Sequence, residues 1–134
     1  MKRVVAVMLL GLLLGLAAQA GAQALDGKTV FAKNCAACHQ AAGTGIAGAF
    51  PALKGNLFVQ GDAGAVIDTV LKGRAGMPTF ASSLDDDKLA LVLSYIRTSW
   101  SNKASAIAAA DVTAARARSG AGEAIKQEAP TNVH

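Results

Sequence analysis

Cysteine and histidine are scarce in this chain. Its 134 residues include two cysteines and two histidines. A structural zinc site takes four ligands, which are usually cysteines and histidines. Three of the four candidates, Cys35, Cys38 and His39, lie within five residues, and the fourth, His134, is the last residue of a polar tail. The scarcity and this spacing argue against a zinc site.

Aromatic residues are also few, and they are confined to one part of the chain. All six lie between Phe31 and Trp100, and the alanine-rich sequence that follows has none. We therefore predict a packed domain over residues 25–102 and a C-terminal extension over residues 103–134 that is partly disordered, mainly beyond Gly120. A domain of this size buries a small core, so it commonly depends on a disulfide, a metal or a cofactor.

No stretch alternates polar and apolar residues over a convincing length, which argues against β-sheet and predicts an all-α fold. Three helices are predicted from N-caps, glycine stops and apolar spacing. They run from Gly27 to about Ala37 behind Asp26, over residues 63–72 behind Asp62, and from Asp85–Asp87 through Leu89, Val92, Leu93 and Ile96 to Trp100. The glycine-rich loop between the first two is long, and such a loop is unusual without a ligand to wrap.

The first 24 residues have the character of a secretory signal peptide. Lys2 and Arg3 precede an apolar run over residues 4–17, and small residues in an A-x-A pattern follow up to Ala24. A membrane-spanning helix needs about 20 apolar residues, so a retained anchor is the weaker interpretation. We expect cleavage after Ala24 and export to the periplasm.

The excess of positive charge is small. The whole chain carries a formal net charge of +4, and without Lys2 and Arg3 eleven basic residues remain against nine acidic ones, which leaves +2. No basic stripe with interleaved aromatic residues is present, so we expect no nucleic-acid partner.

Both cysteines belong to the segment Cys35-Ala36-Ala37-Cys38-His39. A thioredoxin-like dithiol shares this spacing but requires a strand before it, and no strand is predicted. A structural disulfide would close a tiny loop and leave the histidine without a role. Haem attachment explains both cysteines and the histidine, since the two thiols form thioethers and the adjacent histidine binds the iron. We predict one haem c, bound through Cys35 and Cys38, with His39 as an axial ligand of the iron.

The other axial position of such an iron is open, or is taken by a histidine or a methionine. Met77 is the only methionine after residue 24, and His134 is the only other histidine. Met77 lies in a glycine-rich loop before Pro78, where the backbone can approach a flat ring closely. Elimination therefore assigns Met77 as the second ligand. A closed His/Met site favours electron transfer over chemistry on a bound substrate, so we expect a protein that is not an enzyme.

Taken in order, these motifs resemble the bacterial class I monohaem cytochromes c over residues 26–102. The resemblance rests on Gly27-Lys28, Phe31, the Cys35–His39 segment, Phe50-Pro51-Ala52-Leu53, Gly76-Met77-Pro78 and the run from Leu84 to Arg97. It implies the cytochrome c fold, in which three to four helices wrap around one covalently bound haem and the first and last helices cross beside it.

The resemblance also implies roles for individual residues. The carbonyl of Pro51 would accept a hydrogen bond from His39 and fix its ring. Phe31, Tyr95 and Trp100 would pack the helices together and form walls of the haem pocket. The extension resembles that of cytochromes that accompany periplasmic dehydrogenases, and it would be a short helix laid on the domain, a partner-docking arm or a disordered segment.

Two functions are consistent with these expectations. The first is a periplasmic shuttle that takes single electrons from a dehydrogenase or quinol-oxidising complex to an oxidase or reductase of a respiratory chain. Lys33, Lys54, Lys72 and Arg74 would steer acidic partners to it.

The second is a dedicated cytochrome subunit of a periplasmic oxidoreductase. The protein would then be a monomer or part of a hetero-complex, and it would reach the membrane only through its partners. A haem-based sensor or peroxidase would require that Met77 be absent from the iron or displaceable.

Overall fold

The computed structural model describes residues 25–120, and within that range it contains helices and no strand. The helices are α1 (Gly27–Asn34), α2 (Ala36–His39), α3 (Leu57–Gln60), α4 (Ala63–Lys72), α5 (Asp86–Thr98) and α6 (Ala109–Ser119). Four of them have eight or more residues, and α2 and α3 are single turns. The predicted all-α class is confirmed. The predicted bounds of α4 are confirmed too, whereas the turn α3 within the long loop was not predicted.

Aspartate side chains start three of these helices. The caps at Asp26 and Asp62 were predicted, whereas at Asp85–Asp87 only negative charge at the start of the helix was predicted. Asp26 accepts a hydrogen bond from the Thr29 amide at 2.7 Å, Asp62 from the Ala65 amide at 2.8 Å, and Asp85 from the Lys88 amide at 2.8 Å. Each bond satisfies an amide that has no partner within the helix. The Thr29 amide also holds the pKa of Asp26 below its ordinary value, because the hydrogen bond favours the charged carboxylate.

The first helix ends earlier than predicted. We expected it to reach about Ala37, but Cys35 leaves the helical conformation with φ −122° and ψ −34°, and a separate turn, α2, follows. The Cys35 amide still donates to Phe31 O at 2.9 Å, so the chain bends there without losing a hydrogen bond. The bend places the second cysteine and the histidine on a turn of their own.

Helices α1 and α5 cross in close contact, as the resemblance implied. Gly27, the first residue of α1, is buried, and a Cβ atom added to it would overlap the carbonyl oxygen of Leu91 and lie 2.7 Å from Tyr95 Cβ. Only a glycine permits the backbones to approach this closely. The crossing therefore depends on the absence of a side chain at residue 27.

Three aromatic rings pack together beside this crossing. The ring centroids of Phe31 and Tyr95 are 5.5 Å apart, those of Phe31 and Trp100 are 5.1 Å apart, and those of Tyr95 and Trp100 are 5.4 Å apart. Tilted and edge-to-face arrangements at these distances are favourable. The three residues therefore have the predicted role in helix packing.

Helix α6 lies beyond residue 102, the predicted end of the domain, and it packs on α4 and α5. Val112 and Ala115 are completely buried there, and Ile107 is 4% exposed in the segment that leads to the helix. Of the three alternatives for the extension, residues 109–119 therefore form a short helix laid on the domain. The predicted signal peptide, residues 1–24, and the predicted disorder of residues 121–134 lie outside the described residues. Between residues 25 and 120 no helix has both the length and the apolar character needed to cross a membrane.

Candidate haem-binding site

A cavity of about 530 Å³ opens between the helices, which is in the usual size range for a cofactor pocket. Its lining combines residues from helices α2, α3, α4 and α5 and Asn34 at the end of α1 with residues from the loops 49–56 and 74–84. Most of these side chains are apolar. They include Phe50, Leu53, Phe58, Val59, Val66, Val70, Phe80, Leu84, Leu93 and Ile96. Such a lining fits a flat, largely apolar group and leaves polar recognition to a few side chains.

Cys35, Cys38 and His39 line this cavity together. The amides of Cys38 and His39 donate to Cys35 O at 3.2 Å and 2.9 Å, so all three side chains belong to one helical turn. Residues three and four apart in such a turn lie on the same face. Both thiols are free, which does not support the disulfide alternative. In residues 25–120 no group of three or more His, Cys, Asp or Glu side chains is placed to hold a metal ion.

The two thiols differ in their surroundings. Cys38 is exposed and Cys35 is partly buried. Burial, together with the neighbouring Cys38 thiol, raises the pKa of Cys35 to about 11. At neutral pH the Cys35 thiol is therefore protonated and behaves as part of the apolar wall.

His39 is held by the hydrogen bond that the resemblance implied. Its Nδ1 atom lies 2.9 Å from the carbonyl oxygen of Pro51, twelve residues along the chain. Since a carbonyl only accepts, Nδ1 carries the proton, and Nε2 keeps a free lone pair with which to bind a metal. The contact fixes both the tautomer and the orientation of the ring.

Gly45 packs closely against the carbonyl group of Pro51. It has a φ of +63°, and a Cβ atom added to it would lie 2.6 Å from both Pro51 C and Pro51 O. Its amide donates to His39 O at 2.9 Å, which closes the loop onto the histidine backbone. The substitution Gly45→Ala would therefore displace the acceptor of the His39 hydrogen bond.

We expect Gly45→Ala to lower the free energy of unfolding of the haem-loaded protein more than Gly48→Ala does. Both glycines have positive φ, +63° and +77°, so alanine brings a backbone penalty of about 1–2 kcal/mol at either position. A Cβ atom at Gly48 has nothing within 4 Å, whereas at Gly45 it collides with backbone. The collision adds a further cost of about 1–3 kcal/mol. Denaturant titration of both variants measures the difference, and equal losses would contradict the close approach to Pro51.

Met77 reaches the same cavity from a different segment. The backbones of Arg74 and Met77 pair in both directions, with N···O distances of 3.2 Å and 2.9 Å. Gly73, with a φ of +76°, precedes this turn, and a Cβ atom there would lie 2.6 Å from Met77 O. The turn is thus closed at both ends, and it presents Met77 to the cavity that also holds His39.

One predicted role is wrong. Phe31, Tyr95 and Trp100 do not line the cavity, because they are occupied in packing α1 against α5. The aromatic residues of the cavity wall are instead Phe50, Phe58 and Phe80, which lie outside helices α1 and α5. Trp100 contributes indirectly, because it packs against Gly43, where an added Cβ would lie 2.6 Å from its ring. Gly43 O in turn accepts hydrogen bonds from the amides of Leu53 and Lys54.

Two of the four basic residues predicted to steer partners have intramolecular contacts. Arg74 lies over the ring of Phe58, 5.7 Å from its centroid, and also lines the cavity. Lys72 pairs with Asp68 at 3.1 Å on the surface of α4. Lys33 and Lys54 are exposed. Steering by these four residues stays a prediction.

Sequence reasoning did not identify three polar residues that hold this arrangement together. Arg97, Asn102 and Arg116 are 3%, 3% and 5% exposed. Arg97 donates to Val59 O at 2.8 Å and Gly61 O at 3.0 Å beside α3, and to Ser105 O at 2.8 Å. Asn102 donates to Leu53 O at 3.0 Å and Ile96 O at 2.8 Å, and accepts from the Gly55 amide at 2.8 Å. No local pattern signals them, since their partners lie up to 49 residues away.

The residues of the cavity fit a haem c. The group needs two free thiols three residues apart, a histidine directly after the second, and an apolar chamber. All of these are present in one place, and Met77 adds a thioether donor.

Comparison with known proteins agrees with this chemistry. The profile of the family described as "Cytochrome C oxidase, cbb3-type, subunit III" matches residues 22–96, more than half of the chain. The cytochrome c subunit of an alcohol dehydrogenase (quinone) from Gluconacetobacter polyoxogenes is 34% identical to this chain, over 69% of the chain and 22% of that protein. A cbb3-type cytochrome c oxidase subunit CcoP from Azospirillum sp. (strain B510) is 41% identical, over 61% of the chain and 30% of that protein.

A small relative matches as well. Cytochrome c6 from Leptolyngbya boryana is 38% identical, over 56% of this chain and 91% of its own length. The chain thus spans only about a fifth to a third of the two larger relatives, but nearly all of this one. The residues that the family profile matches include the two cysteines, the histidine and the residues that line the cavity. The chain therefore belongs to the cbb3-type subunit III family of cytochrome c domains, and it is a monohaem c-type cytochrome.

Proposed function

We propose that this protein is a single-electron carrier of the periplasm whose haem c is attached through Cys35 and Cys38 and ligated by His39 and Met77. The observation that carries the proposal is that one apolar cavity is lined by both thiols, by a histidine of fixed tautomer and by the only methionine after residue 24. The haem supplies an iron that changes reversibly by one electron. The protein supplies the ligands, their orientation and the surroundings.

The side chains around the cavity have separable tasks in this proposal. The Pro51 carbonyl holds the Nδ1 proton of His39 and leaves Nε2 to the iron. The thioether of Met77 is a neutral, soft donor, and such a ligand favours the reduced iron and so raises the reduction potential. The apolar walls keep water out, which lowers the local dielectric and limits the rearrangement that accompanies a change of charge. None of these tasks requires a substrate to bind.

Location in the periplasm is supported by the signal-type sequence of residues 1–24. A protein exported in this way meets oxidising conditions, in which a pair of cysteines without a partner would tend to form a disulfide. Attachment to haem gives both thiols a permanent partner.

The redox partners belong to the proposal too. Relatives are named as subunits of an alcohol dehydrogenase (quinone) and of a cbb3-type oxidase. We infer that this chain passes electrons between complexes of these two kinds, as a part of a respiratory chain. The match to nearly the whole of a small cytochrome c6 supports a free carrier.

The alternative is a dedicated subunit of an oxidoreductase complex, and the match to the dehydrogenase subunit over 69% of this chain favours it. Purification at low and high salt distinguishes the two. A free carrier elutes alone, since its contacts are weak and electrostatic. A subunit stays with its complex.

The ligation is tested by replacing Met77. We expect oxidised Met77→Ala to lose the far-red absorption band that methionine ligation to haem iron produces. We also expect the reduced variant to bind carbon monoxide rapidly at neutral pH, whereas the unaltered protein binds it only slowly, because Met77 has to leave the iron first. Absorption spectra of both oxidation states measure the two effects.

Met77→His is the matched control, since it removes the thioether but offers another ligand from the same position. It should lack the far-red band and still exclude carbon monoxide. If the band persists in Met77→Ala, or if the unaltered protein binds carbon monoxide rapidly, Met77 is not the ligand. A sensor or peroxidase function would then become the better interpretation.

A further inference from the structure

Arg116 connects the C-terminal helix α6 to the segment that follows Met77. Its guanidinium is almost completely buried, and all three of its nitrogens have partners. Nε pairs with Asp86 Oδ1 at 2.6 Å, Nη1 donates to Ala81 O at 2.6 Å, and Nη2 donates to Leu84 O at 2.5 Å. One side chain of α6 therefore holds two carbonyls of the loop and the first residue of α5.

The opposite side of the same segment is attached to α4. The Phe80 amide donates to Val70 O at 3.0 Å, and the Thr79 hydroxyl donates to Leu71 O. Within the segment, the Leu84 amide donates to Phe80 O at 3.1 Å. Residues 79–84 are thus held between α4 and α6, and Met77 lies two residues before this clamped stretch. Movement of Met77 away from the cavity has to displace one of the two attachments.

The contacts of Arg116 are of a strong kind. Hydrogen bonds from a charged donor are shorter and stronger than neutral ones, and they gain further strength where water is excluded. Its loss would leave the carbonyls of Ala81 and Leu84 and one carboxylate oxygen, Asp86 Oδ1, without this donor, while Asp86 Oδ2 still accepts from the Thr113 hydroxyl. An unpaired buried acceptor is costly, so the loop would move toward water to satisfy these groups. Such a movement pulls on the turn that presents Met77.

We propose that Arg116 is a positioning residue for Met77, and that α6 acts as a clamp which would keep the Met77 thioether at the haem site. This inference rests on the proposed ligation by Met77. It assigns to the extension a role in the redox site itself, in addition to its packing on the domain. Arg118, which lies two residues further along the same helix, is exposed, and its guanidinium lies near Gly64 of α4.

The test compares local with global stability in the haem-loaded protein. During denaturant titration of Arg116→Gln, the far-red band of methionine ligation should disappear well before the helical circular dichroism signal does. Without denaturant, carbon monoxide should bind the reduced variant about tenfold faster than the unaltered protein, which corresponds to the loss of one charge-assisted hydrogen bond. A residue that only stabilised the fold would shift both transitions together.

Two further variants complete the experiment. Arg118→Gln makes the same change of charge on the same helix and should behave as the unaltered protein. Arg116→Lys keeps the charge beside Asp86 but cannot reach both carbonyls with one nitrogen. Its carbon monoxide binding rate and its resistance to loss of the far-red band should therefore be intermediate between those of Arg116→Gln and the unaltered protein. If Arg116→Gln does not fold, the proposal is tested on Arg116→Lys instead, by comparing loss of the far-red band with loss of the helices and by measuring the carbon monoxide binding rate.

The proposal is overturned if the band and the helices are lost together, or if carbon monoxide binds Arg116→Gln no faster than Arg118→Gln. Failure of the proposed ligation by Met77 gives a different result. In that case the unaltered protein itself lacks the far-red band, or Met77→Ala keeps it.

Discussion

The variant in which Cys35 and Cys38 are both alanine is expected to contain no covalently attached haem and to lack a stable helical fold. The two thiols are the only cysteines of the chain, so no other thioether can form. Without the cofactor, the cavity between α2, α4 and α5 has no side chain to fill it.

The size of the cavity makes this effect large. Cavities in proteins cost about 24 cal/mol per Å³. A volume of about 530 Å³ therefore corresponds to a cost on the order of 10 kcal/mol if it stays empty. The entire stability of a domain is about 5–15 kcal/mol. The chain has little reserve against such a loss, because its core is small.

Haem staining after denaturing electrophoresis and far-UV circular dichroism of the purified chain measure the two consequences. The single variants Cys35→Ala and Cys38→Ala are the controls, since each keeps one thiol and the His39–Pro51 contact. They should retain some attached haem and more helix than the double variant. A haem-free double variant that unfolds cooperatively with full helix content would contradict the view that the cofactor is part of the core.

The substitution Gly27→Ala is expected to produce the second largest effect. Its Cβ atom would overlap Leu91 O and lie 2.7 Å from Tyr95 Cβ, at the point where α1 crosses α5. Backbone atoms of a helix cannot rotate out of the way as a side chain does, so α1 has to shift. We expect the free energy of unfolding of the haem-loaded protein to fall by about 3 kcal/mol, the upper part of the range for overpacked interiors.

Gly64→Ala is the matched control, since Gly64 is also helical. Its added Cβ would meet only side-chain atoms, the nearest being Asp62 Oδ1 at 3.2 Å. Alanine is the better helix former, so the change in free energy should be less than about 1 kcal/mol in either direction. Denaturant titrations of both variants give the comparison. A loss at Gly27 as small as that at Gly64 would show that the helices do not touch at this glycine.

The helices themselves were largely predictable, because their signals are local. Asp26 and Asp62 cap two of them as predicted, and the acidic run Asp85–Asp87 marked the start of the third. Gly73 ends α4 at the predicted residue. The break at Cys35 was not predictable, because it depends on how α2 joins the loop that returns to Pro51. Helix α6 remained one of three alternatives, since its buried residues are Val112, Ala115 and Arg116, which give only a weak apolar pattern.

The sequence by itself determined the chemistry of this protein. The spacing of Cys35, Cys38 and His39 and the single methionine after residue 24 were enough to propose a haem c and both of its ligands, because covalent attachment and ligation depend on residue type and local order. The tertiary structure decided what holds these groups in place. Pro51 accepts from His39, twelve residues away, and Arg116 donates to Ala81 O and Leu84 O, which are more than thirty residues away. Gly45 leaves room for the Pro51 carbonyl, and the buried contacts of Arg116 gain strength because water is excluded. Periodicity along a chain records which face of a helix is apolar, but not which distant carbonyl a buried arginine meets.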